Sequence, residues 1–394
     1  MMAYRSPLNE NLVPAALGEI AAVDLGPIRL DTPVVLAPMA GVTDWPFRSL
    51  CLGWGAALYV NQMITARALV EENPLTWKLA EFGKDEPIRS IQLYGTEPES
   101  VYRSIQMLKE RLRVDHIDMN FGCPAPKVTK NGGGAAIPFK RRLLASIVES
   151  AVRAADEVPV TIKFRKGLDD EHLTFLDSGR IAQETGCVGV TLHARTAKDL
   201  YSGHADWDAI AELVEHVSIP VFGNGDIWEA WDALRMIRHT GAAGVEIGRG
   251  CLGRPWLFAD LVAVLNGQEP SFSTPNLGLV ADVMLDHAAR LTSFYEQSEK
   301  DVIRRFRKHA GWYVAGWPVG KEIRRRLHAV ESLQDLVDVT RDFDKNLTLP
   351  PEGVRVKRSH AGGPRKVSLP NFWLQDPDEH VALNADAEAN VSGG

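Results

Sequence analysis

Asp118-Met119-Asn120-Phe121-Gly122-Cys123-Pro124 is the stretch on which the reading of this chain turns. An apolar-alternating run (Val114, His116, Ile117, Met119) reads as a short strand that stops in Gly-Cys-Pro, so an amide and a thiol stand just past a strand end. Barrel and sheet enzymes keep their chemistry at that position. Taken alone, Cys123 has two readings: a small buried hydrophobe, the common fate of a free cysteine, or a nucleophile or proton donor. What the rest of the chain places beside it decides between them.

Outward from this strand, apolar strand-like runs recur at residues 34–37, 58–60, 88–94, 160–164, 188–193, 221–223 and 245–248, eight with the one at 114–119. Stretches of helical spacing lie between them, among them 101–112, 142–155, 210–216 and 230–239. Strand and helix alternating eight times predicts an α/β fold, a (β/α)8 TIM barrel over residues 28–267, after a polar lead-in over 1–27. Polar residues and glycines fall at one repeated place, the strand ends. They are Pro38-Met39-Ala40-Gly41, Gln62-Met63, Gln92 to Gly95, Asn120 to Cys123, Lys163-Phe164-Arg165, His193-Ala194-Arg195, Asn224-Gly225-Asp226 and Gly248-Arg249-Gly250. No packing argument requires that, and in a barrel all eight converge on the C-terminal mouth.

Composition bounds the remaining possibilities. The 394 residues carry 45% hydrophobic and 24% charged side chains and a net charge of −7, ordinary for a globular protein. Cys51, Cys123, Cys187 and Cys251 are far apart with no CxxC pair, which argues against a metal site or disulfide framework and fits a reducing cytoplasm. No signal-peptide pattern opens the chain and no apolar run is long enough to span a membrane. After a Pro/Ser/Thr-rich linker at 269–275, four helically spaced segments predict an all-helical domain over 276–345. Between Lys300 and His328 it holds nine Lys/Arg against Asp301 and Glu322, with Trp312, Tyr313 and Trp317 interleaved; cations beside aromatics suit RNA. Residues 346–394 show little apolar periodicity and are expected to be a disordered tail with a basic strip, Arg355 to Lys366.

The mouth residues suggest a cofactor. Gly248-Arg249-Gly250 and Asn224-Gly225-Asp226 sit after the last two strands, where barrels bind phosphate through backbone N–H groups, here with an arginine fork. Gln92 can donate and accept along the pyrimidine edge of a flavin, and Lys163 puts a cation where a reduced flavin gathers negative charge. Pro38, Met39 and Ala40 supply backbone and an apolar wall. These features describe a flavin mononucleotide (FMN) site. Beside it, Cys123 as a protonated thiol suits a general acid in the reduction of a polarised carbon–carbon double bond. Asn120, Arg165 and His193 are placed to hold substrate carbonyls, Arg195 stands with them, and His193 also borders the cofactor set. Lys127, Lys130 and Gly132-Gly133-Gly134 look like a mobile basic loop able to close over a nucleotide.

Leu36 to Asp44, Asn120 to Pro124, Lys163 to Arg165, His193 to Thr196 and Asn224 to Asp226 together resemble the tRNA-dihydrouridine synthases, over about residues 28 to 328. Arg307-Lys308-His309 to Gly320 is similar to the helical domain of the bacterial B-type branch. The resemblance implies an FMN barrel with a helical tRNA-binding domain that reduces the uracil C5=C6 bond in the tRNA D-loop, with NADPH recharging the flavin. It implies FMN contacts at Pro38, Met39, Ala40, Gln92, Lys163, Asn224, Gly225, Asp226, Gly248 and Arg249, and the proton donor at Cys123. Arg304, Arg305 and Lys308 are then the expected tRNA contacts, and a cytoplasmic monomer without metal is the expected form. Gln62 stands where many members carry glutamate, so it is assigned no carboxylate role. Two other readings remain open here: a flavin barrel acting on a free pyrimidine, as dihydroorotate or dihydropyrimidine dehydrogenases do, and a non-catalytic RNA-binding protein.

Overall fold

Consecutive parallel pairing with one closing pair makes the sheet a barrel. The computed structural model describes residues 4–272, 274–359 and 362–379. An antiparallel hairpin comes first, β1 (Val23–Leu25) and β2 (Ile28–Leu30). The barrel strands follow: β3 (Val34–Leu36), β4 (Leu58–Tyr59), β5 (Ile64–Thr65), β6 (Ser90–Tyr94), β7 (His116–Phe121), β8 (Val160–Arg165), β9 (Gly189–His193), β10 (Val221–Asn224) and β11 (Gly244–Ile247). From β6 to β11 each pairs in parallel with the next, and β11 returns to β3 through Val245 and Val34.

The eight expected strands are present, but the second is in two pieces. Its first piece, β4, pairs with β3, the Val60–Ser90 bridge carries it to β6, and β5 resumes that pairing at Ile64 and Leu93. The break falls where side chains replace ladder bonds. Asn61 Oδ1 accepts from Gln62 N (2.7 Å) and Arg48 Nη1 (2.9 Å), and Gln62 Oε1 accepts from Gly41 N at 2.7 Å. Gln62 therefore braces the loop after β3.

Helices such as Pro98–Arg111, Arg141–Ala155 and Ala230–Thr240 cover the outside of the barrel with one apolar face each. The hairpin closes the N-terminal end, burying Val23, Leu25, Ile28 and Leu30 against Val35, Leu58, Val60 and Phe222. Each such side chain removed from water is worth roughly 1.5–3 kcal/mol, so this end is a stable floor and the opposite end is free for chemistry.

Beyond the barrel, helices Leu277–Phe294, Glu299–Tyr313, Gly320–Leu327 and Leu333–Arg341 form the all-helical unit. Asn276, Ser298 and Ser332 start three of them by accepting from backbone N–H groups of the first turn. Trp256, from the last barrel loop, is buried in the same cluster as Val280, Met284, Phe306, Tyr313 and Leu336, so one apolar core crosses the junction. Gly253, at φ +63°, lies so close to the Trp312 backbone that a Cβ would sit 2.4 Å from its carbonyl carbon.

That junction corrects the aromatic part of the RNA argument. Tyr313 and Trp317 are buried, and Trp312 packs against the barrel, because the apolar face of this helix is needed for docking. Tyr313 and Trp317 offer no stacking surface. The cations are also less free than their count suggests: Lys300, Arg304 and Arg307 converge on Glu331, Arg325 pairs with Glu322 and Arg326 with Asp342. Glu331 and Asp342 lie just outside the counted window, which is why the sequence count missed them.

The expectation of a disordered tail also fails over the described part of residues 346–379. Val354 is fully buried, Arg355 reaches Glu229 (2.8 Å) and Asp232 (2.9 Å), and Trp373 is buried with its Nε1 donating to Ala136 O at 3.1 Å. Isolated anchors, rather than a periodic apolar face, hold this segment, so periodicity gave no sign of it. Residues 380–394 lie outside the described residues. No helix among the described residues is long and apolar enough to cross a membrane.

The loop after β3 depends on one buried ion pair. Arg48 Nε and Nη2 donate to Glu86 Oε1 and Oε2 at 2.7 and 2.8 Å, both side chains are fully buried, and Nη1 holds Thr43 O at 2.9 Å. Removing one partner strands the other charge. Glu86→Ala should therefore lower the unfolding free energy by about 3–5 kcal/mol, read from denaturant midpoints; a loss below about 1 kcal/mol would mean the guanidinium finds water or another acceptor.

Candidate active site

The ends of the barrel strands surround a cavity of about 330 Å³. Register builds its lower wall. Gln92 on β6 is the pairing partner of Asp118 on β7, Asp118 of Thr161 on β8, Asn120 of Lys163, and His193 of both Arg165 and Asn224. Neighbouring strands thus bring polar side chains together in one layer, and these residues connect in a file along the barrel axis. Ser90 Oγ meets His116 Nδ1 at 2.7 Å, and His116 Nε2 meets Thr161 Oγ1 at 2.9 Å. Thr161 Oγ1 donates to Asp118 Oδ1 and Gln92 Nε2 to Asp118 Oδ2, each at 2.7 Å. Asn120 Nδ2 then donates to Gln92 Oε1 at 2.8 Å, and Asn120 Oδ1 accepts from Gly122 N and Cys123 N at 3.1 Å.

Burial sets the charges of this file. It pushes Asp118 up to about 7, with the nearby carboxylate of Glu246 adding to the rise, and His116 down to about 4. Lys163 is held from two sides, Nζ lying 3.1 Å from Glu246 Oε2 and 3.3 Å from Asn224 Oδ1, while Asn224 Nδ2 donates to Glu246 O at 2.7 Å. Glu246 and Asp118 were both missed as site residues. Each is an acid between apolar neighbours in a strand, and strict alternation would have turned it into the barrel.

The cavity lining gathers the whole cofactor set expected from sequence: Pro38, Met39 and Ala40 on the first strand end, Gln92 and Lys163 on the wall, and His193, Asn224, Gly225, Asp226, Gly248 and Arg249 on the last three. Cys123, Asn120, Arg165 and Arg195 also line it. Arg304, Arg305 and Lys308 do not; they lie on the helix Glu299–Tyr313, where Lys308 Nζ donates to Gly41 O at 2.6 Å and so docks onto the loop after β3. Tyr201, Trp228 and Ser359 join the lining without having been singled out.

One end of the cavity suits an anion. Arg195 Nη2 grips both oxygens of Asp226 at 2.7 and 2.8 Å and its Nε donates to Ser202 O at 3.0 Å, leaving Nη1 buried without a partner among the described residues. At Gly225, φ +128°, a Cβ would lie 2.7 Å from Ala205 Cβ and 3.6 Å from that Nη1. Arg249 lies over the rings of Tyr201 (4.3 Å) and Trp228 (5.4 Å). An orphaned guanidinium N–H, a second arginine and the open backbone at Gly248 fit a phosphate.

Cys123 stands at the other side. Its thiol is half-buried beside Tyr94, Val128 and Met63, and burial pushes it above the ordinary thiol range against the opposing pull of Arg165 and Lys127. It is a protonated thiol at neutral pH. Arg165 acts as a clamp, donating to Gly122 O (2.9 Å), Thr196 O (2.9 Å) and Leu200 O (3.0 Å). His193 is kept neutral by burial and by Arg165, Lys163, Arg195 and Arg249 around it. The loop of Gly132 to Gly134 is not an open lid: all three glycines are buried, a Cβ on Gly133 would lie 2.0 Å from Tyr94 Oη, and one on Gly134 2.5 Å from Cys123 O. These glycines exist for close approach to the Cys123 turn. Among the described residues no group of three or more His, Cys, Asp or Glu is placed to hold a metal.

Known proteins resemble this chain. The family model described as "Dihydrouridine synthase (Dus)" matches residues 35–348. The "Probable tRNA-dihydrouridine synthase" of Mycobacterium tuberculosis is 49% identical over 383 residues, covering 95% of this chain and 97% of that protein. The "tRNA-dihydrouridine synthase B" of Pseudomonas aeruginosa is 38% identical over 325 residues, 82% of this chain and 96% of that protein. Among solved structures, histamine dehydrogenase from Rhizobium sp. 4-9 superposes with a TM-score of 0.50 at 11% identity, over 82% of this chain and 63% of that one, a likeness of fold alone. The chain belongs to the dihydrouridine synthase family, with bacterial B-type enzymes among its relatives.

Proposed function

We propose that this protein reduces a uridine of the tRNA D-loop to dihydrouridine, with FMN held in the barrel mouth and NADPH as the source of electrons. The observation that carries the reading is the meeting, in one cavity, of a phosphate-suited end, a Gln92–Lys163 wall and the protonated thiol of Cys123. When bound there, reduced FMN supplies the hydride that a C5=C6 bond accepts at C6. Cys123 would supply the proton to C5.

The other residues position these groups. Arg195 Nη1, Arg249 and the backbone of Gly225 and Gly248 would hold the cofactor phosphate, with Asp226 fixing Arg195. Lys163, steadied by Glu246 and Asn224, would present its ammonium to the flavin's pyrimidine edge, and Gln92, anchored by Asp118, its amide. Pro38, Met39 and Ala40 would wall the ring. Asn120 fixes the backbone of the Cys123 turn, and Arg165 ties that turn to the loop after β9. His193, neutral, is able to donate to a uracil carbonyl. The target base must leave its stack to reach so recessed a thiol. The helix Glu299–Tyr313, docked on the rim through Lys308, would bring the tRNA over the mouth, with Arg304 and Arg305 contacting its backbone. A tRNA substrate points to the cytoplasm.

Two measurements bear on this reading. Cys123→Ala should leave flavin bound while slowing oxidation of the reduced flavin by tRNA roughly 10²–10⁴-fold; unchanged single-turnover kinetics would remove Cys123 from the chemistry. Asp118 gives a pH signature. Its folded-state value near 7 lies above the ordinary aspartate value of 3.8, so the proton it retains stabilises the fold fully below about pH 4, and that stabilisation is lost as pH rises through about 7. Asp118→Asn has no such proton, so its stability relative to the parent should climb across that window. Parallel stability curves for the two would show that Asp118 titrates no differently in the fold.

A further inference from the structure

Among the described residues, Lys127, Lys198, Lys357, Arg365 and Lys366 are exposed cations on segments that border the mouth. Of the nine Lys/Arg between Lys300 and His328, only Arg305 and Lys321 have neither a carboxylate nor a backbone carbonyl as partner among the described residues. The segment after residue 348, beyond the family match, is different. From Arg355 to Leu369 the sequence has five Lys/Arg and no Asp or Glu. Arg355 and Arg358 are used internally: the first pairs with Glu229 and Asp232, and the second is buried with Nη2 on Ala315 O at 3.2 Å. Lys357, Arg365 and Lys366 are exposed.

This segment borders the cavity. Ser359, two residues after Lys357, is part of the lining. Tyr201 N, whose side chain also lines the cavity, donates to Gly362 O at 3.3 Å, and Arg365 N donates to Lys198 O at 2.8 Å. Val367 and Leu369 pack against Ala135, Leu168 and Ala197, next to the turn that carries Cys123. Residues 355–359 and 362–369 are therefore a strap fixed from the helical domain, past the loop after β9, to the loop after β7. Lys198 on the one loop and Lys127 on the other are exposed as well. Asp199, the carboxylate between Lys198 and Tyr201, is taken by the Thr196 amide and hydroxyl.

We propose that this strap is a second tRNA-docking surface, on which Lys357, Arg365 and Lys366, with Lys198 and Lys127, hold backbone phosphates of the RNA whose uridine enters the cavity. The inference rests on the tRNA reading above. A polyphosphate ligand fits because these charges are separate, exposed and spread along a rim, whereas the buried Arg195 and the half-buried Arg249 suit a single phosphate inside. The strap also fixes which side of the mouth the RNA crosses. It adds phosphate contacts by its own sequence, without any change to the barrel's chemistry.

The test is the triple variant Lys357→Ala, Arg365→Ala, Lys366→Ala in the full-length, flavin-loaded enzyme, with tRNA affinity followed against salt. Three phosphate contacts at a slope of about 0.7 each mean that the parent should lose roughly 10- to 20-fold more affinity than the variant between about 50 and 200 mM salt. Flavin content and NADPH-dependent flavin reduction should be unchanged. Equal salt slopes for the two proteins would overturn the proposal. So would a raised KM for NADPH with tRNA affinity intact, which would assign the rim to the reductant's phosphates. Should the triple variant lose flavin, the charge-keeping variant Lys357→Arg, Arg365→Lys, Lys366→Arg and the single variant Lys366→Ala give the same comparison: the former should keep the parent slope and the latter lower it by about 0.7. Failure of the parent itself to bind tRNA would instead sink the functional reading on which the strap depends.

Discussion

Everything at the mouth of this barrel hangs on a polar file buried in its axis. Small barrels fill their interiors with layers of branched apolar side chains. Here Ser90, His116, Thr161, Asp118, Gln92 and Asn120 take up part of that space, each bonded to the next, ending on the amide of Cys123. A buried polar group left alone costs about 1–3 kcal/mol, so the file tolerates few substitutions: changing one member strands two neighbours. The same constraint makes it useful. Gln92 cannot rotate while Asp118 and Asn120 hold both ends of its amide, so donor and acceptor edges face the cavity in a fixed sense.

The Lys163–Glu246 contact obeys the same logic with full charges. A lysine at the centre of a barrel would lose much of its affinity for a proton if unpaired. Glu246, on the far side of the sheet order, balances it at 3.1 Å and is itself surrounded by apolar strand. The cost appears at Asp118, where the Glu246 carboxylate helps to push the proton affinity up. Two acids and one base share this interior, and the structure resolves the imbalance by leaving the second acid near the edge of ionisation.

Much of this was legible in the sequence, and the part that was not has a common cause. The strand-end motifs carry backbone information: glycines, prolines and polar residues at one repeated position in the α/β pattern, from Pro38 to Arg249, fixed both the fold class and the rim of the cavity. Apolar alternation located all eight strands, with only the break near Asn61 hidden, because side-chain amides replace ladder bonds there. What failed were inferences about who neutralises or covers whom. Tyr313 and Trp317 read as stacking aromatics and are core, because a docking face and a recognition face have the same local pattern. Glu331 quiets three cations from outside their own helix. Trp373 and Arg355 anchor a segment with no periodicity at all. Each is a long-range pairing that no window along the chain contains.

The surroundings of Cys123 set burial against charge in the same way. A thiol near several cations should ordinarily become a thiolate, since positive charge within a few ångströms favours the anion. The Ala125 amide and then Arg165, whose N–H groups also hold Gly122 O, Thr196 O and Leu200 O, do pull the thiol toward the anion. Lys127 is exposed, so water screens it. Desolvation by Tyr94, Val128 and Met63 then prevails, and the thiol stays protonated. A proton donor can therefore work inside a rim built to attract a polyanion, because burial of the thiol outweighs the amide and the cations that face it.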